Sequence, residues 1–341
     1  MTLLRNTALL AGTFGLLAAP AGAESVKEFY TGKQMTIVVG NAEGGTYDYY
    51  GRLGAMIMEK FLPGNPKVVM QYMPGAGGTK AANYMAQIAP KDGSVLSSMH
   101  ASAVQAQLLR PTGIRYDSSK FLYIGQFTPL TSALGVWHTA PATDVAGAKE
   151  KQVVMGATGK GSYQYQLPAL MNELLGTKFK LIPGYKGIRS QNLAIERGEI
   201  HGRGGTIVSW VVSRPDWIKE GKIKFLVQVG SKRDKAFPDV PLATELTDNP
   251  DEKKMFQLLS SGSILGRLLI GTPDTPADRA AALRAAFDKG VKDPEVQADA
   301  KKRKLTLDPA TGPELAALVD DIVATPKPTV DKVVKLLGLK R

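Results

Sequence analysis

Cysteine is absent from the 341 residues, which excludes disulfides, thiolate metal sites and a lipid-modified cysteine behind a cleaved leader. Stability has to come from packing. Histidine is nearly as scarce: His100, His138 and His201 lie far apart and none belongs to H-E-x-x-H, so each reads as a packed or surface side chain rather than a metal ligand. Neither G-x-S-x-G nor Ser-x-x-Lys occurs, so the common hydrolase signatures are missing. No fixed-period repeat, low-complexity tract or membrane-length apolar run follows the first residues. No constellation of side chains demands catalysis, and no metal is expected.

What is present begins with Arg5, the apolar stretch "TALLAGTFGLLAA" and a small-x-small site at Ala21-Gly22-Ala23. This predicts a secretory signal over residues 1–23, cut after Ala23, and a soluble, exported mature protein. The formal charge of +12 comes from 43 basic and 31 acidic residues that are scattered and mixed. The densest cluster, "KKRK" at Lys301–Lys304, reads as a solvated helix end. Nucleic acid is not an expected partner; attraction for anionic solutes is the better reading of the charge.

Apolar runs alternate with helix-period segments along most of the chain, which predicts an α/β architecture with mainly parallel sheets. Strands are expected at 35–39, 68–72, 95–99, 122–125, 134–137, 153–156, 178–182 and 224–229. Helices are expected at Tyr49–Phe61, with Leu53, Ile57 and Phe61 on one face, and at Lys80–Ala89, with Ala81, Met85 and Ile88 along its stripe. After "FPDVPLATEL" the chain turns Ala-, Lys- and Asp-rich and predicts a helical cover, with Pro276 and Pro294 in first helical turns.

Three glycine-rich loops stand at expected strand-to-helix junctions: "NAEGGTYD" at 41–48, "PGAGGTK" at 74–80 and "GATGKGS" at 156–162. A strand that ends in glycines and feeds a helix points several backbone N–H groups at one spot, and that spot attracts an anion. Loops at the carboxyl ends of strands are where open α/β sheets place ligands. "GATGKGS" is not a phosphate-binding P-loop, because only two residues separate Gly156 from Gly159 and Gly161 intervenes between Lys160 and Ser162. "PGAGGT" lacks the third glycine of a dinucleotide fingerprint. No cofactor is expected. The remaining groups, loop amides with Thr46, Thr79 and Ser162, fit reversible capture of a carboxylate.

Residues 37–96, "IVVGNAEGGTYDYY…PGAGGTK…PKDGSVL", resemble the opening lobe of the tripartite tricarboxylate transporter substrate-binding proteins, the Bug family of periplasmic receptors. The family pattern falls here on Gly44, Gly45 and Asp48, then Pro74–Gly78, then Pro90–Gly93. It continues in order through "GATGKGS", "IPGYKGIRSQNLAIERGEIHG" and "KAFPDVPLATEL" to a C-terminal "PEVQADAKKRKL". The resemblance implies a type II periplasmic-binding-protein fold: two α/β lobes joined by two crossings, with a ligand cleft between them. It places lobe I at 24–127 and 230–341 and lobe II at 128–229, in a monomer.

The resemblance further implies a small organic carboxylate as ligand, mono- or dicarboxylate and aromatic or aliphatic, delivered to membrane transporter subunits. A membrane sensor kinase as partner and an exported enzyme acting on an anionic substrate stay open as alternatives. The implied ligand-binding residues are Glu43, Gly44, Gly45, Thr46, Tyr47 and Asp48 in the first loop, and Gly75, Ala76, Gly77, Gly78 and Thr79 in the second. Thr158 and Ser162 come from the third, with Arg203 and Gly205 at the far end of the cleft. Two departures stand out: Asn41, Ala42 and Glu43 occupy positions where relatives usually carry prolines, and Gly205 lies near a position that is often acidic.

Overall fold

The computed structural model describes residues 24–160 and 162–339, so the expected signal segment lies outside the described residues. Among the described residues, eleven strands form two sheets. The first contains β1 (Gln34–Val39), β2 (Lys67–Tyr72), β3 (Val95–Ser98), β4 (Leu122–Thr128), β10 (Arg267–Gly271) and β11 (Ala310–Thr311), in the order β11-β4-β10-β3-β1-β2. The second contains β5 (Ser132–Trp137), β6 (Val153–Ala157), β7 (Phe179–Pro183), β8 (Gly202–Thr206) and β9 (Ile223–Val229), in the order β7-β6-β8-β5-β9. These are two α/β lobes of the type II periplasmic-binding class.

Both sheets are mixed rather than mainly parallel. β10 runs antiparallel to β3 and β4, and β5 runs antiparallel to β8 and β9. The reversed strand inside each sheet, β10 in the first and β5 in the second, enters directly from the other lobe and so starts at the interlobe edge where its neighbours end; the two-residue edge strand β11 also runs antiparallel to β4. Three strands escape the sequence pattern. β8 is "GRGGT" and has no apolar run at all, β10 follows a helix with no polar break before it, and β11 is two residues long.

The helix Thr46–Phe61 starts one turn earlier than periodicity alone marks, because Gly45 is its N-cap and Asp48 lies in its first turn. Leu53 and Ile57 are fully buried against the first sheet, as their spacing requires. The next helix, Thr79–Gln87, buries Ala81 and Met85 but stops before Ile88, which leaves the helical conformation and stays 73% exposed. The expected stripe therefore ends at Met85. The C-terminal cover is present as Pro250–Leu265, Ala277–Gly290, Pro294–Lys302, Gly312–Val323 and Lys327–Leu336. Pro276 is an N-cap rather than a first-turn residue, Pro294 is in the first turn, and Lys301–Lys304 sit at an exposed helix end.

Two passages join the sheets. One is the short link from Thr128 to Ser132. The other runs from Val229 to Arg267, keeping Leu242 bridged to Gln228 of β9 before the helix Pro250–Leu265 packs on Ser102–Leu109 and on Tyr163–Leu175. The passages are tied to each other, since the Leu130 N–H donates to the Ser263 carbonyl at 2.8 Å and Gln126 Nε2 donates to the Ile264 and Leu265 carbonyls. One hydrophobic cluster extends through this seam, from Val104 and Leu109 through Leu258 and Leu259 to Leu167 and Met171.

Candidate functional site

β1, β2, β3 and β4 end at the interlobe edge of the first sheet, and β6, β7 and β8 end at that of the second. All three glycine-rich loops therefore emerge toward the gap between lobes. In the first loop, Gly44 has φ +83° and donates its N–H to Asp48 Oδ2 at 2.9 Å. Asp48 turns away from the gap. It is 1% exposed and also accepts from Tyr72 Oη (2.8 Å) and Arg52 Nε (3.0 Å). Burial by itself raises the Asp48 pKa, but these three donors together hold it below the usual carboxylate value. Arg52 also pairs with the exposed Glu43 at 2.7 Å. Asp48 and Glu43 thus brace the loop from behind.

Tyr47 lies in a stack. Its ring is 4.1 Å from the His100 ring at an interplanar angle of 15°, and Arg267 Cζ sits 4.0 Å from its centroid. Arg267 Nη2 donates to Thr46 Oγ1 at 3.1 Å, while its enclosed Nε has no partner. His100, whose ring nitrogen bonds to Asn41 Oδ1, is the packed histidine its isolation in the sequence implied. Burial, aided by the Arg267 charge, pushes its pKa down to about 4.

The second loop lies on the same histidine. Residues 75–78 have four successive positive φ values, +144°, +47°, +61° and +91°, before the helix opens at Thr79. A Cβ on Gly40 would touch Gly78 Cα at 3.4 Å, and one on Gly78 would lie 2.7 Å from His100 Cβ. The structure therefore brings the first two loops together over His100.

Across the gap, Thr158 is exposed and its N–H donates to Gln164 Oε1 at 3.2 Å. Ser162 Oγ spends its proton on the Gly159 carbonyl at 2.7 Å, leaving its lone pairs open. Arg203 is fully buried and donates from Nε to Asn192 Oδ1 at 2.7 Å. It has no ion pair among the described residues, so it does not pair with Glu196 or Glu199.

A pocket of about 450 Å³ lies between the lobes. Thr46 and Arg267 line it from one side and Thr206–Val208 from the other, with the 128–131 link, Lys232–Lys235 and Lys304–Asp308 closing it. Tyr50 Oη donates to the Thr306 carbonyl at 2.8 Å and so anchors the last segment to the first helix. Lys232 is neutralised by Asp308 and Arg233 by Glu245. Arg267 has no acidic partner among the described residues. Sequence reasoning passed over Arg267 and the partnership of His100 with Tyr47; the available signal for the former was a lone arginine at the head of the apolar run "RLLIG". No group of three or more metal-ligating side chains occurs among the described residues, and none of their helices is long and apolar enough to cross a membrane.

Comparison with known proteins places this geometry in a family. The chain is 30% identical over 246 residues to the UPF0065 protein in the gbd 5' region of Cupriavidus necator, covering 68% of this chain and 69% of that one. It superposes on a TctC solute-binding protein from Polaromonas with TM-score 0.69, 21% identity, and 89% and 99% of the two chains covered. It also superposes on MatC from Rhodopseudomonas palustris, solved with bound malate, at TM-score 0.59, 26% identity, and 87% and 99% covered. A family model described as "Tripartite tricarboxylate transporter family receptor" matches residues 53–333. Two α/β lobes, glycine-rich loops facing a shared gap and a match over most of the length agree: the chain belongs to the tripartite tricarboxylate transporter family of receptors.

Proposed function

We propose that the protein is a periplasmic receptor that captures a small organic carboxylate between its lobes, 24–127 with 230–341 against 128–229, and delivers it to the membrane subunits of a tripartite transporter. The observation that carries this reading is Arg267. It is held against Tyr47 and Thr46 at the wall of a pocket lined from both lobes, with an enclosed N–H and no carboxylate among the described residues to answer its charge. A guanidinium so placed is a carboxylate receptor, because two parallel charge-assisted hydrogen bonds suit it geometrically and energetically. The first glycine loop reaches this pocket through Thr46. Family membership and the malate held by MatC favour an organic acid of this size.

The test is thermal-shift and calorimetric screening of the mature chain against organic acids and their neutral amides. A bound acid at a hundredfold excess over Kd stabilises the fold by about 2.7 kcal/mol. Arg267→Gln should weaken binding by about 1.5 to 3 kcal/mol, the range for hydrogen bonds to charged groups. Amides that stabilise as well as the acids would overturn carboxylate capture.

A further inference from the structure

The second lobe carries an apolar surface that the pocket at Arg267 does not account for. Six large apolar side chains are exposed among the described residues, and four of them belong to two neighbouring helices. Leu193 (45%) is on the helix Ile188–Glu196, and Val208 (54%), Val211 (42%) and Val212 (71%) are on the helix Ile207–Ser213. The second helix also buries Ile207 and Trp210, so it is apolar on both its inner and outer sides. A surface helix ordinarily turns polar side chains to water, and one that is apolar all round belongs inside a larger assembly. Its three valines stand at i, i+3 and i+4, the spacing that gathers them on one outward side.

The two helices are fastened to each other. From beneath, Arg203 donates from Nε to Asn192 Oδ1 at 2.7 Å and holds its Cζ 3.5 Å from the Trp210 ring, while Asn192 Nδ2 donates to Ser213 Oγ at 3.4 Å. Arg214, just past the second helix, pairs with Glu196 on the first. Between them lies an open groove of about 1150 Å³ with Leu193 and Val212 on its walls. That exceeds the ~300–1,000 Å³ of small-molecule sites and suits an amphipathic helix laid apolar face down. Lys186 and Arg189 are exposed on the rim with no acidic partner among the described residues, whereas Arg214 is answered by Glu196 and Asp216. The rim is therefore basic, and a chain of formal net charge +12 repels a second copy of itself. Both facts call for an acidic occupant.

We propose that this groove is where the receptor docks on the membrane subunit of its transporter, by taking up an acidic, amphipathic helix that the subunit presents outside the membrane. The proposal rests on the receptor reading above. The groove is continuous with the ligand pocket through one short element: Thr206–Val208, at the start of the second helix, line the pocket, and Ser209, Val212 and Ser213 line the groove. A subunit seated in the groove thus touches the element that walls the ligand pocket, which gives it a direct means of telling a loaded receptor from an empty one.

The probe is the transporter's membrane subunits in lipid nanodiscs, beside empty nanodiscs of the same anionic lipid. Because the chain has no cysteine, Val212→Cys supplies a single attachment point for a photo-crosslinker, and Ile88→Cys, exposed on lobe I just past the end of its helix, is the control. Val212→Cys should crosslink to a membrane subunit and Ile88→Cys should not. Val212→Ser and Arg189→Glu should each weaken binding of the subunits by about tenfold or more, while affinity for organic acids stays within about twofold of wild type. Rising salt should weaken the complex, as a basic rim requires. Subunit affinity unchanged in both variants overturns the docking site. So does equal binding to empty nanodiscs, which makes the patch a lipid contact, or a dimer in analytical ultracentrifugation that Val212→Ser abolishes, which makes it a self-contact. A wild type that binds organic acids but not the subunits overturns docking and leaves carboxylate capture standing; one that binds no organic acid overturns both.

Discussion

Replacing Gly78 with alanine separates backbone strain from crowding at the point where the two lobe I loops meet. Gly78 has φ +91°, a conformation that costs an L-residue about 1 to 2 kcal/mol. The added methyl would also lie 2.7, 2.9 and 3.0 Å from His100 Cβ, Cγ and Cδ2. His100 has little room to yield, being stacked on Tyr47 at 4.1 Å and bonded to Asn41. Overpacking of this kind adds about 1 to 3 kcal/mol, so Gly78→Ala should cost about 2 to 5 kcal/mol in total, read from urea denaturation. In a His100→Gly background, which removes Cβ as well as the ring, the crowding disappears and only the strain remains, so the same substitution should cost about 1 to 2 kcal/mol. A coupling of at least about 1 kcal/mol between the two positions is therefore expected. Equal costs in the two backgrounds would show that His100 is not what the loop rests on, and the account of the paired loops would fail.

Asp48→Asn should destabilise the fold by about 2 to 4 kcal/mol and weaken carboxylate binding, because the amide turns a donor toward groups that themselves donate and leaves Arg52 with only the exposed Glu43 as its counter-charge. Urea denaturation and calorimetry read the two effects, and unchanged stability would refute the bracing role. His100 predicts a pH dependence. Its folded pKa, about 4, lies below its unfolded value of ~6.5, so as the pH falls the unfolded chain takes up the proton first. The neutral-ring contribution is complete above ~6.5 and is lost between there and about 4, by up to about 3 kcal/mol. His100→Gln should flatten that part of the stability–pH curve relative to wild type, and identical slopes would remove the buried neutral ring from the account.

Much of the architecture was legible in the chain itself. Apolar runs such as Ile37–Val39 are buried on both faces of their sheet, and a strand buried on both faces reads as a nearly continuous apolar run. The glycine-rich loops were legible because positive φ at Gly44 and Gly75–Gly78 is a local demand that composition records directly. β8 was not legible, since "GRGGT" is a strand only because β5 and β6 flank it and Trp210 covers it. The roles of charged residues depended on tertiary structure most of all. Asp48 in a glycine loop has the pattern of a ligand contact, yet its carboxylate is taken up by Tyr72, 24 positions away. Arg203 and Arg267 look no different in sequence from Arg233, which pairs with Glu245. Periodicity and turn chemistry report what a residue needs from its immediate neighbours, whereas an unanswered charge is a property of every group within a few ångströms, and those groups come from all parts of the chain.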